Sequence, residues 1–139
     1  MSLRIRDLDL RADRNAVESI DTGFETDTIF DLVSQPRSVT LVERKLEAPI
    51  TKRYAIDEVF ASWRQWKIGW VADDDGVRGF ATVEYEPWHE RLILWFLYIE
   101  RAWRRRGVGR ALLERVEQVR IGDERAELNR GGIERRRFA

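Results

Sequence analysis

The chain has 139 residues, with 25 Lys and Arg against 25 Asp and Glu, so its formal net charge is zero, and 43% of its residues are hydrophobic. That length predicts one domain with one sizeable core, and the balanced charge nominates neither nucleic acid nor a membrane surface as partner. The absence of cysteine excludes disulfide scaffolds, thiolate metal sites and cysteine nucleophiles, and the single histidine, His89, argues against a histidine-based metal site.

Leu3 to Leu8 alternates apolar and polar residues and predicts a first strand. Ala12 to Ile20 predicts a helix, with Asp13 near its start and Glu18 on a solvent face. Phe24 to Thr28 is less regular. Ile29 to Val33 predicts a strand, Gln35-Pro36-Arg37-Ser38 a turn, and Val39 to Arg44 the returning arm of a hairpin. Ala48 to Lys52 is an extended piece around Pro49, and Asp57 to Gln65 is either a short helix or the lead-in to a strand. Lys67 to Ala72 and Val77 to Glu86 predict two strands joined at Asp73-Asp74-Asp75-Gly76, whose Asp-Gly pair tolerates positive φ. Pro87-Trp88-His89-Glu90 is the next turn. Leu92 to Ile99 is apolar on both alternating faces, the pattern of a strand covered on both sides. Val108 to Val119 then follows helical spacing with its apolar members on one face. This order argues for an α/β fold with a mixed sheet. Six tryptophans are expected mainly in the core. No run reaches the roughly 18 apolar residues of a membrane span, and the first residues lack the apolar core of a signal peptide, so the expected location is cytoplasmic.

Gly107 and Gly109 stand where the apolar strand hands over to the last helix. The first free amides of a helix point outward, and small residues let an anion approach them. Arg104, Arg105, Arg106 and Arg110 add positive charge around that point. In physical terms this is a phosphate-binding turn. It is not a P-loop, because no Lys-Ser or Lys-Thr follows the glycines, and it is not a dinucleotide fingerprint, because Leu112 stands at the third glycine position. The spacing that remains is R-x-x-G-x-G, from Arg104 to Gly109.

Leu97 to Leu113, with Trp103 before the arginines and Ala111-Leu112-Leu113 after the glycines, resembles the acetyl-coenzyme A motif of the GNAT N-acetyltransferase superfamily. Thr22 to Phe30, Pro49 to Lys52 and Tyr85 to Leu92 resemble segments of streptothricin (nourseothricin) acetyltransferases. The resemblance runs roughly from Leu3 to Arg120. It implies the acyl-CoA N-acyltransferase fold, a mostly antiparallel sheet flanked by helices, with its C-terminal strand–helix portion incomplete. It also implies transfer of acetyl from acetyl-CoA to an amino group of a cationic small molecule, of the streptothricin type. The alternative is a catalytically impaired remnant that binds coenzyme A without turnover.

By the same resemblance, the amides from Arg106 to Arg110 hold the diphosphate, and the backbone at Leu97 and Ile99 pairs with the pantetheine arm as an added strand. The implied cofactor set is Leu97, Ile99, Arg104, Arg105, Arg106, Gly107, Val108, Gly109 and Arg110, with Arg105 standing where relatives often carry glycine. Related enzymes carry an acidic pair within the long strand, where Trp95 and Phe96 stand here. Glu84 and Glu86 on the preceding strand, and Asp27, are the candidates for attracting a cationic amine, with Trp88 as a further substrate-binding candidate. No catalytic residue and no metal are assigned. The expected partner is a small-molecule amine; nucleic acid is the weaker reading of the basic tail, a membrane is not expected, and a homodimer is left open.

The acetyltransferase domain is expected over 1–120, with an atypical arginine-rich tail over 121–139. A GNAT domain continues with a splayed strand, then a helix bearing an Asn and often a Tyr. Asn129 and Ile133 echo that helix, but Arg136 stands where the tyrosine is expected. The tail therefore reads as a truncated or frameshifted C-terminus. The alternatives are a genuine short replacement, or a second chain covering an exposed sheet edge.

Overall fold

The computed structural model describes residues 2–119. The tail, with Asn129, Ile133 and Arg136, lies outside the described residues. The elements follow in the order β1 (Arg4–Asp7), α1 (Arg14–Glu18), β2 (Phe24–Gln35), β3 (Ser38–Lys52), β4 (Ile68–Asp73), β5 (Val77–Glu86), β6 (Arg91–Ile99) and α2 (Val108–Glu117), with 3₁₀ turns at Asp57–Phe60 and Arg101–Trp103. They form two units. One comprises the described residues up to Asp21 and from Ala55; the other is Thr22–Tyr54.

In the first unit, four antiparallel strands lie in the order β1-β4-β5-β6. Their period-two alternation sends apolar side chains to both faces. Val71 and Phe80 point to one face, where Val17 and Ile20 after β1, with Ile56, Val59 and Trp66, close a first core cluster. Trp70, Ala72, Ala81 and Val83 point to the other face and pack on Val108 and Leu112 of α2. The sheet is thus covered on both faces, and the Asp-Gly turn joins β4 to β5 as expected, with Asp75 at φ 52° and Gly76 at φ 124°.

Asp13 stands at the start of α1, yet its carboxylate caps nothing. It accepts two charge-assisted bonds from the Arg6 guanidinium, at 2.8 Å each, and one from the Asp9 N–H at 2.8 Å. A bidentate guanidinium outcompetes a helix amide for the same oxygens. Arg6 also reaches Asp73 at 3.0 Å, so this cluster ties β1 both to α1 and to the end of β4. The Arg6 hydrogen bond holds the Asp13 carboxyl below the usual carboxylate range against an opposing burial effect, and the carboxylates raise the Arg6 guanidinium in return.

The second unit is a two-stranded ribbon, β2 paired antiparallel with β3 from Phe24↔Lys52 to Gln35↔Ser38. Its register slips between Thr26, which pairs with Ile50, and Thr28, which pairs with Lys45. Pro49 lies in the slip and has no N–H for a ladder. That irregularity is why Phe24 to Thr28 lacks clean alternation. Leu32 pairs with Leu41, and Phe30 and Val39 share their face; all four are more than 60% exposed. The base of the ribbon is clasped at one hydroxyl. Thr22 Oγ1 donates to the Tyr54 carbonyl at 2.7 Å and accepts from the Tyr54 N–H at 2.9 Å.

Two expectations are corrected. β6 is covered on both sides only in part: Phe96 and Tyr98 pack on the first cluster and Leu97 and Ile99 on the second, whereas Leu94 and Trp95 remain 40% and 39% exposed, and among the described residues it is the edge strand of its sheet. The tryptophans also divide. Trp66 and Trp70 are buried, whereas Trp63 and Trp88 are 73% and 89% exposed because they sit in connecting turns.

Candidate phosphate-binding turn and its strand

β6 leads into the site. Its register with β5 slips between Thr82, which pairs with Phe96, and Val83, which pairs with Leu94, leaving Trp95 as the extra residue of a bulge. Leu97 and Ile99 return to register opposite Ala81 and Gly79. Alternate residues of β6 direct their N–H and C=O groups away from β5, and among the described residues no strand lies on that side.

The chain leaves β6 through Glu100, whose carboxylate is fixed by two main-chain donors. Oε1 accepts from the Arg101 N–H at 3.2 Å and Oε2 from the Asp21 N–H at 3.1 Å. The 3₁₀ turn Arg101–Trp103 follows, and then two residues adopt positive φ, Arg105 at 64° and Gly107 at 85°. Gly107 is the N-cap of α2 and has no side chain to cap it; nothing lies within 4 Å of a Cβ built there. The first helical bond runs from the Ala111 N–H to the Gly107 carbonyl at 3.0 Å. Among the described residues the amides of Val108, Gly109 and Arg110 find no acceptor, as the geometry of a helix start requires. Gly109 lies against the Ile99 side chain, 3.8 Å from the position of an added Cβ, which places the turn beside the end of β6.

The arginines differ in what they touch. Arg104 donates to the Ile99 carbonyl at 3.2 Å and to the Asp21 carbonyl at 2.9 Å, buttressing the turn from behind. Arg106 lies over the Trp103 ring, Cζ 5.1 Å from the centroid, and Arg78 also packs on that ring at 4.7 Å. Arg105, Arg106 and Arg110 are exposed. Three amides without an acceptor among the described residues, the positive end of a helix and three exposed arginines form a donor-only set suited to a diphosphate. A cavity of about 450 Å³, lined by Trp66, Trp70, Arg115 and Val119 among others, lies at the opposite end of α2 and belongs to no part of this turn.

The acidic candidates fall in different units. Glu84 on β5 is half-buried and accepts a 3.4 Å hydrogen bond from Trp95 Nε1, so it stands next to the bulge. Asp27 belongs to the ribbon unit, where it pairs with Lys45 at 3.6 Å and accepts from the Thr28 hydroxyl at 3.0 Å. Trp88 sits in the turn between β5 and β6. The residues that sequence reasoning missed are Asp21 and Glu100 as supports of the turn, and Trp103, noted there as part of the motif, was given no role. Trp103 carried a signal, an aromatic beside the arginines; Asp21 is remote in sequence and carried none. Among the described residues no group of three or more His, Asp or Glu side chains is placed to hold a metal, and no helix is long and apolar enough to cross a membrane.

Comparison with known proteins gives a consistent picture. Residues 65–137 match the family model described as the acetyltransferase (GNAT) domain. The streptothricin acetyltransferase of Streptomyces lavendulae is 27% identical in a match 110 positions long that covers 73% of this chain and 58% of that protein. The chain therefore spans little more than half of that curated relative. A crystal structure of nourseothricin acetyltransferase superposes with a TM-score of 0.71 at 28% identity, covering 91% of this chain and 69% of that one. A Bacillus anthracis str. Ames structure in complex with acetyl coenzyme A superposes with a TM-score of 0.59, covering 84% of this chain and 67% of that one; at 20% identity it speaks to the fold alone.

Proposed function

The chain belongs to the GNAT acetyltransferase family, and from that premise we propose that it transfers acetyl from acetyl-CoA to a primary amine of a cationic small molecule of the streptothricin class. The observation that carries the reading is the turn itself. Three unpaired amides under a left-handed Gly107 stand beside the end of an edge strand that is bulged at Trp95. The similarity to streptothricin and nourseothricin acetyltransferases supports the choice of acceptor class.

In this reading Val108, Gly109 and Arg110 hold the diphosphate through their amides, with Arg105 adding charge, and β6 offers the outward main chain of Leu97 and Ile99 to the pantetheine arm, the Ile99 carbonyl being shared with Arg104. Charge-assisted hydrogen bonds contribute about 1.5–3 kcal/mol each, so three approach the roughly 8 kcal/mol of a micromolar complex only before association costs are subtracted. The strand edge must therefore contribute as well. Bound acetyl-CoA supplies the activated thioester. The chain's remaining task is to hold and neutralise the amine. A lysine-like amine has a reference pKa of about 10.4, so its neutral form lies about 4–5 kcal/mol uphill at pH 7. Glu84 is the acidic group beside the bulge, and it attracts the ammonium and draws a proton from it through water.

Calorimetry with acetyl-CoA, followed by turnover with streptothricin, tests the reading. The chain has no cysteine, so thiol released on turnover is measured without background from the protein. Binding and thiol release are expected. Binding without turnover on streptothricin or simple polyamines leaves a coenzyme A-binding protein only, and absence of binding removes the transferase reading.

A further inference from the structure

The β2–β3 ribbon has two unlike faces. Phe30, Leu32, Val39 and Leu41 share one of them, gathered around the pair Leu32↔Leu41, and their exposures run from 63% to 67%. The other face carries the Asp31–Arg44 ion pair, closed at 2.7 and 3.3 Å, and its valines are less exposed, Val33 at 43% and Val42 at 46%. A two-stranded ribbon is marginally stable in water unless something packs on its apolar side. Four large apolar side chains in one exposed strip therefore mark a face made to be covered.

The charges around the strip say what covers it. Arg37 lies in the turn at the tip of the ribbon, and Glu43 lies on the face of Leu41. Both are exposed, and among the described residues neither side chain has an ion pair or hydrogen bond. Arg37 comes three residues before Thr40 and Glu43 three residues after it, while Val39 and Leu41 flank Thr40 directly. At the rise of an extended chain the two charges stand roughly 10 Å to either side of Thr40. A second ribbon laid antiparallel on this face, about a two-fold axis at the level of Thr40, sets Leu41 over the partner's Val39. It also brings Glu43 level with the partner's Arg37, and symmetry makes each contact twice. Opposite charges placed evenly about the middle of an apolar strip complement the strip itself, turned end for end.

We propose that the face of Phe30, Leu32, Val39 and Leu41 is the contact between two copies of this chain, with Arg37 and Glu43 fixing the register. The proposal goes beyond the acetyl-transfer reading and does not rest on it. Each strip is used up by the other, so association stops at two copies.

Sedimentation equilibrium across the micromolar range tests it. The wild-type chain is expected to be a dimer, and Leu41→Lys a monomer throughout, because it places a charge in the middle of the apolar contact. Glu43→Arg and Arg37→Glu each set like charges against one another, so each variant alone should associate about tenfold more weakly or worse. In an equimolar mixture of those two variants opposite signs face each other at both contacts, and dimers of near wild-type affinity should return. That recovery also shows that both variants fold. A monomeric wild type, a Leu41→Lys protein that still dimerises, or a mixture no tighter than its separate components overturns the proposal.

Discussion

Replacing Asp13 by Asn isolates the cluster that joins β1, α1 and the end of β4. Asp13 is 4% exposed and receives three donors at 2.8 Å. Breaking a fully buried ion pair costs about 3–5 kcal/mol. Here the Arg6 side chain is 29% exposed and keeps Asp73 at 3.0 Å, so about half of that is expected for Asp13→Asn, roughly 2 kcal/mol. Arg6→Met strands a buried carboxylate with one remaining amide, and about 3 kcal/mol is expected. In the double variant neither charge is stranded, so urea unfolding at pH 7 should give a coupling of about 2 kcal/mol. The gap between wild type and Asp13→Asn should also depend on pH with a defined sign. The Arg6 hydrogen bond depresses the folded-state pKa of Asp13. Its contribution is therefore complete above the unfolded carboxylate value of about 3.9 and is lost as pH falls through the lower folded value. The gap should stay constant from pH 8 to pH 5 and close below about pH 4. Single-variant losses that simply add, within about 0.5 kcal/mol, or a gap that survives acidification, would refute the coupling.

Gly107→Ala and Gly109→Ala should move stability in opposite directions, as read by differential scanning calorimetry. At φ 85° the first places a side chain in the left-handed region, a net loss of about 1 kcal/mol even though the space is open. The second meets Ile99 only at ordinary contact distances of 3.8 and 3.9 Å and gains up to about 1 kcal/mol of helix propensity. Gly79→Ala puts a Cβ 2.8 Å from Ile99 Cδ1 and 3.0 Å from the Tyr98 carbonyl oxygen. The backbone oxygen cannot yield, and a loss of about 2–3 kcal/mol in urea unfolding is expected. Trp66→Phe removes the 2.6 Å donor to the buried Val59 carbonyl, and hydrogen exchange around the Asp57–Phe60 turn should quicken with a loss of about 1–3 kcal/mol.

Wherever local pattern decides structure, the chain was legible. The Asp-Gly turn, the hairpin around Pro36, the alternation of β4 and β5, and the spacing of Val108 and Leu112 each name their element, and the glycines mark where β6 hands over to α2. What stayed hidden depends on neighbours distant in sequence. An unbroken apolar run does not reveal that β6 is an edge or that Trp95 occupies a bulge, because both follow from which strand lies alongside. Asp13 looked like a helix cap because its rival claimant, Arg6, belongs to another element. The identical letters of Arg104, Arg105 and Arg106 conceal three different environments, set by Asp21, by the backbone twist and by Trp103.

The clasp at Thr22 and Tyr54 makes the β2–β3 ribbon a detachable cassette. Both chain ends of a 33-residue excursion, Thr22–Tyr54, meet at one hydroxyl, so its first and last residues lie side by side whatever the length of hairpin between them. Evolution can therefore lengthen, shorten or exchange that arm without redesigning the four-stranded sheet, much as loops of variable length are mounted on a constant scaffold.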